Sequence, residues 1–191
     1  MADKGILDER VEKLWSRTRK WLEDGSFDRH MPESLEQFSE EILPPLATRR
    51  FFEGVGKLDE RSAEIVLREV GSGCGDFELR LMALKGVNIP LQDLEAEIDA
   101  FLRVHEIGEN VASGGKAKIT RNGNSATLVI EGGCVCPLVK KLDIEPTRNH
   151  CLCTLHHLKH VYETVLARPV EVELLETFLR GGDSCTIRMS W

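Results

Sequence analysis

Long hydrophobic runs are missing from this chain of 191 residues. No apolar segment approaches the roughly 20 residues that a membrane-spanning helix needs, and the charged start Met1-Ala2-Asp3-Lys4 is unlike a secretory signal. We therefore expect a cytoplasmic protein with no membrane partner.

An excess of basic residues is also missing, because 25 Lys and Arg stand against 32 Asp and Glu, for a net charge of −7. Negative charge repels phosphate groups, so we expect no nucleic-acid partner. The charge is uneven: residues 1–110 carry 15 basic and 24 acidic side chains, net −9, whereas residues 111–191 carry 10 and 8, net +2. We predict an acidic helical region over 1–110, acting as a cap or subdomain, and a cysteine-bearing α+β module over 111–191. Together they should form one compact unit.

Several enzyme motifs do not occur. Gly-x-Gly-x-x-Gly, the P-loop, Gly-x-Ser-x-Gly and His-Glu-x-x-His are all absent. Dinucleotide binding, phosphate binding, serine hydrolysis and zincin chemistry therefore lack their usual sequence support. The chemically informative residues are the six cysteines, five of which fall in residues 111–191.

Helical periodicity dominates the acidic region. Apolar residues recur every three or four positions in stretches that begin near Asp8, Pro32, Asp59 and Pro90. The pair Pro44-Pro45 should end the second of these helices. The third should stop at a turn over Gly71-Ser72-Gly73-Cys74-Gly75, with a short helix near Phe77–Leu84 after it.

Alternation of apolar and polar residues predicts four strands in the second region. Lys116–Arg121 and Ser125–Glu131 flank Asn122-Gly123, a strong hairpin signal. Two further strands are predicted near Val170–Leu174 and Cys185–Trp191, with a helix before them from about Leu152 to Ala167. The predicted fold class is α+β, an N-terminal helical region followed by an antiparallel sheet of about four strands with a crossing helix.

Two Cys-x-Cys pairs are the most distinctive chemical feature. Cys134 and Cys136 follow a predicted strand, where side chains two residues apart point to one face. Cys151 and Cys153 lie at the entry to a helix, where partial positive charge favours the thiolate. Two converging thiol pairs supply four soft ligands, which predicts a metal site, with zinc ahead of an iron–sulfur cluster. Reduced, buried cysteines are the alternative.

The predicted helix after Cys151 has two contrasting faces. One arc is apolar, and Cys153, His156, His157 and His160 occupy nearly the opposite arc. The apolar arc consists of Leu155, Leu158, Tyr162, Val165 and Leu166. Cys153 and His157 are four residues apart and could chelate one ion, whereas a solvated histidine-rich face is the alternative. His150 is adjacent to Cys151, and Cys185 would join only if the core beneath the sheet is a pocket. The candidate metal ligands are Cys134, Cys136, His150, Cys151, Cys153, His157 and Cys185.

The order of motifs in residues 115–191 supports a family resemblance. The segments are Gly133-Cys134-Val135-Cys136-Pro137, His150-Cys151-Leu152-Cys153, Arg168-Pro169-Val170-Glu171-Val172 and Gly181-Gly182-Asp183-Ser184-Cys185. This order resembles the cysteine-containing proteins related to the L-2-amino-thiazoline-4-carboxylic acid hydrolase-like family and, more distantly, the 4-vinyl reductase-like ligand-binding domain. The resemblance implies an α+β module that binds a small molecule or a metal ion through its cysteines.

Three functions remain open from the sequence. The first is a metal- or small-ligand-binding protein, a sensor for example, that uses cysteine thiolates. The second is an amide or thiazoline-ring hydrolase, in which metal-activated water or a thiolate such as Cys153 attacks and His157 or His160 is the base. The third is a thiol–disulfide redox switch. The expected partner is a small molecule or metal ion, and a homodimer is left open.

Overall fold

The computed structural model describes residues 9–10, 12–13, 16–17, 19–20, 23–26, 43–113, 115–133 and 147–191. The chain divides into two compact units. One comprises residues 1–54 and 138–145, and the other residues 55–137 and 146–191. Helix α1 spans Leu43–Val55 and is followed by α2, Glu60–Leu84, and α3, Leu94–Ser113. No helix within these described ranges is long and apolar enough to cross a membrane.

The first unit is mostly helical where it is described, with a turn over residues 24–25. The described residues from 9 to 20 and Glu23 are helical, as the sequence periodicity predicts. The Pro44-Pro45 pair, expected to end a helix, instead lies in the first turn of α1. Proline is tolerated there because the first backbone N–H groups of a helix have no intrahelical acceptor.

Helix α2 is continuous over 25 residues and contradicts the predicted turn at Gly71–Gly75. Asp59 caps its start, because one carboxylate oxygen accepts a 3.0 Å hydrogen bond from the Ser62 backbone N–H. The predicted helix near Phe77–Leu84 is the last part of this same element. Each glycine inside a helix destabilises it by about 1 kcal/mol relative to alanine. Tertiary contacts must therefore compensate for the low helix propensity of Gly71, Gly73 and Gly75.

The second unit contains a four-stranded antiparallel sheet, which confirms the α+β prediction. The strands are β1, Lys116–Arg121; β2, Ser125–Glu131; β3, Glu171–Glu176; and β4, Cys185–Ser190, in the spatial order β1-β2-β4-β3. In the predicted hairpin turn, Asn122 and Ser125 exchange two backbone hydrogen bonds, and Gly123 has a φ of 59°. Positive φ suits glycine because it has no Cβ.

Helix α4, Cys151–Leu166, lies between the two hairpins and packs in the main hydrophobic core. The alternating inward residues of β2 and β4 are buried with the apolar arc of α4; they are Ala126, Leu128, Ile130, Cys185, Ile187, Met189, Leu158, Val161, Tyr162 and Val165. Ile98 and Phe101 of α3 belong to the same core. The apolar arc predicted for α4 therefore faces the core, although Leu155 is only half-buried.

The opposite arc of α4, the Cys/His arc, packs against α2 instead of facing solvent. At Gly71, an added Cβ would lie 2.6 Å from the Cys153 carbonyl oxygen and 2.8 Å from the His157 backbone nitrogen. At Gly75 it would lie 2.8 Å from a ring carbon of His160. Because these positions lack side chains, the two helices approach within backbone contact. This contact explains why glycines that normally interrupt helices are buried inside α2.

The glycine contact generates the first prediction. Gly71→Ala should lower the free energy of unfolding by about 1–3 kcal/mol, because its new methyl group meets backbone atoms that cannot move independently of α4. Gly73→Ala is the matched control, since nothing lies within 4 Å of its added Cβ, and it should be neutral or stabilising by up to about 1 kcal/mol. Urea unfolding of both variants measures the difference. Equal stability of the two variants would contradict the close approach.

Candidate functional site

Three helices of the second unit each bring one pair of Cys, His or Glu side chains, spaced i and i+4, to the same region. Residues with this spacing lie on one face of a helix. We call this group the three-helix cluster; it consists of Cys74 and Glu78 on α2, His105 and Glu109 on α3, and Cys153 and His157 on α4.

Glu78 is the central acceptor of the cluster. One of its oxygens is 2.5 Å from His157 Nε2, and the other is 3.3 Å from His105 Nδ1. The second nitrogen of His105, Nε2, is 3.5 Å from Glu109 Oε1. Two carboxylates and two imidazoles thus alternate across the three helices, and His105 is fully buried.

Burial and mutual attraction act in opposite directions on these groups. Burial disfavours the imidazolium form, but the charges of Glu78 and Glu109 and the Glu109 contact raise the pKa of His105 overall. The pKa of His157 is raised against the same burial effect by its hydrogen bond to Glu78. Burial would raise the pKa of Glu78, but His105 and His157 together lower it. The cluster is therefore an arrangement of charges that depend on one another.

Polar atoms in the cluster are left without hydrogen bonds. Within the described ranges, both ring nitrogens of His105 and Oε1 of Glu78 are buried and have no partner in hydrogen-bond geometry, despite the nearby opposite charges. The Tyr162 hydroxyl is likewise buried there without a partner, and burial together with Glu78 and Glu109 raises its pKa well above 10. Unsatisfied buried groups are uncommon in folded proteins and often mark a site for an ion or ligand.

The cysteines of the cluster form a contact across α2 and α4. Cys153 donates a side-chain hydrogen bond to the sulfur of Cys74, and this bond is the main reason that the pKa of Cys74 is lowered to about 6, with His157 adding to the effect. Cys74 is exposed and Cys153 is half-buried. The thiolate of Cys74 is therefore accessible at neutral pH.

The other histidines of the Cys/His arc also face carboxylates of α2. His160 Nε2 is 2.7 Å from Asp76 Oδ1, and His156 Nε2 is 3.8 Å from Glu64 Oε1. The solvated alternative for this face is therefore wrong, since the arc forms a helix–helix interface. Burial, with the nearby charge of Arg68, lowers the pKa of His156. His156 therefore differs from His105 and His157, whose pKa values are raised.

The structure separates several ligands predicted from the sequence. Cys134 and Cys136 lie outside the described residues. Cys151 Sγ donates to Thr177 Oγ1 at 3.3 Å, and Cys185 lies in the sheet core. His150 is buried, and its Nδ1 accepts a 2.8 Å hydrogen bond from the Thr147 backbone; burial lowers its pKa. Of the described candidates, only Cys153 and His157 enter the three-helix cluster.

Four members of the cluster were not identified from the sequence, namely Cys74, Glu78, His105 and Glu109. The glycines on both sides of Cys74 predict a turn, and the other three are common residues on amphipathic helices. Two signals were present. Gly71 and Gly75 have the spacing of a close helix contact, and both Cys74–Glu78 and His105–Glu109 have the i, i+4 spacing that was recognised in Cys153–His157.

Comparisons with known proteins concern the fold. The sequence model of a family of unknown function (DUF6144) matches residues 107–190, fewer than half of the chain. No curated protein matches. The structure is similar to the crystal structure of a trafficking protein particle complex subunit 3 from Naegleria fowleri covalently bound to palmitic acid, with a TM-score of 0.52 and 18% identity, over 76% of this chain and 87% of that chain.

The charges of the cluster predict how stability depends on pH. The pKa of Glu78 is lowered from 4.5, so its stabilising effect is present above pH 4.5 and is lost as the pH falls through its folded pKa. The pKa values of His105 and His157 are raised from 6.5, so their effect is fully present below pH 6.5 and is lost as the pH rises through their folded values. The stabilisation should therefore be greatest between pH 4.5 and 6.5.

Thermal unfolding in the presence of a chelator checks this expectation. The difference in Tm between the wild type and Glu78→Gln should be largest in that window and should shrink on both sides, because glutamine cannot pair with either imidazolium. A difference that is constant from pH 4 to 9 would show that the histidines are not charged partners of Glu78.

Proposed function

We propose that this protein binds a divalent transition-metal ion in the three-helix cluster, through Glu78, Glu109 and His157. One observation carries the proposal: an oxygen of each carboxylate and a ring nitrogen of His157 all lie within 4.8 Å of one another, although the three residues come from three different helices. Small side-chain movements would bring three such atoms to the bonding distances of about 2.0–2.2 Å that zinc requires.

The charge of the cluster supports a divalent ion. In the metal-free protein, His105 and His157 have raised pKa values because each is beside a carboxylate. A metal ion binds the neutral imidazole, so it must displace the proton of His157. The metal ion then supplies the positive charge next to Glu78 and Glu109 that the protonated histidine supplied before. The negative charges of the two buried carboxylates therefore stay compensated.

The donor atoms favour zinc among the divalent ions. Imidazole nitrogen with carboxylate oxygen suits zinc, iron and manganese, whereas calcium and magnesium prefer oxygen alone. The adjacent thiols of Cys74 and Cys153 add soft sulfur atoms, which increases the preference for zinc. His105 contacts both carboxylates and would orient them from the buried side. The thiol-based site predicted from the sequence stays a prediction, because Cys134 and Cys136 lie outside the described residues.

Hydrolysis is the second candidate function, and the number of ligands favours it. A zinc ion with three protein ligands retains a position for water, and such water can ionise near about pH 7. The family resemblance suggests a thiazoline ring, as in L-2-amino-thiazoline-4-carboxylate, or an amide as the substrate class. Incubation of zinc-loaded protein with this compound tests the candidate, and turnover should disappear in Glu109→Gln.

Substitution of a ligand should weaken zinc binding strongly. We expect one zinc equivalent per chain, and a loss of affinity in Glu78→Gln that exceeds the roughly 10–100-fold typical of changes outside the ligand shell. Competition with a chromophoric chelator at pH 7.5 measures the affinity. Asp76→Asn is the matched control, because Asp76 is a carboxylate on the same helix that pairs with His160 outside the cluster.

The pH dependence provides a second measurement in the same experiment. Zinc affinity should rise with pH through the raised pKa of His157, and calorimetry in buffers of different ionisation enthalpy should detect proton release. Circular dichroism confirms that each variant is folded. If the wild type binds no stoichiometric zinc, or if Glu78→Gln and Asp76→Asn bind it equally, the proposed site is wrong.

A further inference from the structure

From the cysteine contact between α2 and α4, we infer that Cys74 and Cys153 are a redox-active pair that hydrogen peroxide converts to an interhelical disulfide. This inference does not rest on the metal proposal, because it concerns the two thiols and is tested on metal-free protein. The bond would link α2 to α4 one helical turn from the contact between Glu78 and His157.

The geometry of the two helices permits this bond. The side chains of Cys74 and Cys153 are already in hydrogen-bond contact. A disulfide requires Cα atoms about 4.4–6.8 Å apart, closer than most helix pairs allow. Gly71 and Gly75 remove the side chains that would keep α2 and α4 apart, and the Cys153 carbonyl lies directly against Gly71. The glycines therefore provide the backbone approach that an interhelical disulfide needs.

The two cysteines differ in the way that such a reaction requires. Cys74 is exposed and Cys153 is partly covered. On α4, the side chain of Cys153 contacts Cys74, and His157 is close enough to act on Cys74 electrostatically. The exposed sulfur of Cys74 is therefore the one that meets the oxidant, and the neighbouring thiol of Cys153 is placed to react next.

The chemistry balances with hydrogen peroxide as the oxidant. The Cys74 thiolate attacks one peroxide oxygen, the O–O bond breaks, and Cys74 becomes a sulfenic acid while hydroxide leaves and takes up a proton to form water. The Cys153 sulfur then attacks the Cys74 sulfur, the S–OH bond breaks, and a second water leaves with the proton of Cys153. Two sulfurs together lose two electrons, and the peroxide gains them.

The other described cysteines are placed differently. Cys151 is buried and contacts Thr177, and Cys185 is buried in β4 opposite Ile130. Both should keep their thiols under conditions that oxidise the exposed pair. They serve as internal controls in the same sample.

Mass mapping of the full chain tests the pair directly. Metal-free protein is treated with one equivalent of hydrogen peroxide, blocked with iodoacetamide, digested without reduction and analysed by tandem mass spectrometry. We expect a linked peptide pair that contains Cys74 and Cys153, the loss of two thiols per chain, and full reversal by dithiothreitol. In Cys153→Ser, dimedone should trap a sulfenic acid on Cys74, and no link should form. A link from Cys74 to any other cysteine, or a stable sulfenic acid in the wild type, would overturn the inference.

The rate of alkylation gives an independent readout. Iodoacetamide labelling of Cys74 in the wild type should reach half of its maximal rate near pH 6. Cys153→Ala should move this midpoint upward, towards the ordinary value of 9.0, because alanine donates no hydrogen bond. Cys153→Ser should retain most of the lowered midpoint, because its hydroxyl still donates. An unchanged midpoint in Cys153→Ala would show that the two thiols are not in contact.

Discussion

The close contact between α2 and α4 is the constraint on which the rest of the second unit depends. It exists because Gly71 and Gly75 place no side chain between the helices. The contact thereby sets the distance between the side chains that α2 and α4 direct towards each other. Cys74 comes one residue before Gly75, and Glu78 follows one turn later, so the same approach that accommodates the backbone of α4 sets Cys74 against Cys153 and Glu78 against His157. A helix pair with ordinary side chains at the glycine positions would separate these groups.

Each charged group buried in this interface depends on an oppositely charged neighbour. Glu78 would carry a large desolvation penalty alone, and so would the fully buried His105, but each is within 3.5 Å of opposite charge. The same dependence makes the cluster suitable for a cation, because a divalent ion can take over the role of the imidazolium protons. Under the proposed function, the ion-paired cluster and the metal-bound cluster are alternative states of one arrangement. Both ring nitrogens of His105 are buried without a hydrogen-bond partner, so the ion-paired state leaves polar atoms unsatisfied.

The sheet is easier to predict from the sequence than the site. The signals for the sheet come from neighbouring residues, whereas the site depends on contacts between residues that are distant in the sequence. Asn122-Gly123 and the alternation around Leu128 are local signals, and the observed hairpin follows them. The glycines of α2 have an equally clear local preference for a turn, but their packing against α4 outweighs it. The spacing of Gly71 and Gly75 is compatible with a close helix contact, but it does not show which helix makes that contact. The Cys/His arc of α4 was recognisable from its own periodicity. Glu78 and His105 were not, because nothing in their own helices shows which helix will be their neighbour.

The fold and the cluster have different determinants. The family match over residues 107–190 includes the sheet and three members of the cluster, Glu109, Cys153 and His157. It begins within α3, after His105, and leaves out the whole of α2 with Cys74 and Glu78. The similar trafficking-complex subunit likewise shares the backbone arrangement at 18% identity, at which side chains are mostly different. All six residues of the cluster lie on helices, so none of them takes part in the pairing of the strands. Under the proposed function, the chemistry lies at the contact of α2 with α3 and α4, where buried charged groups meet that strand pairing does not require.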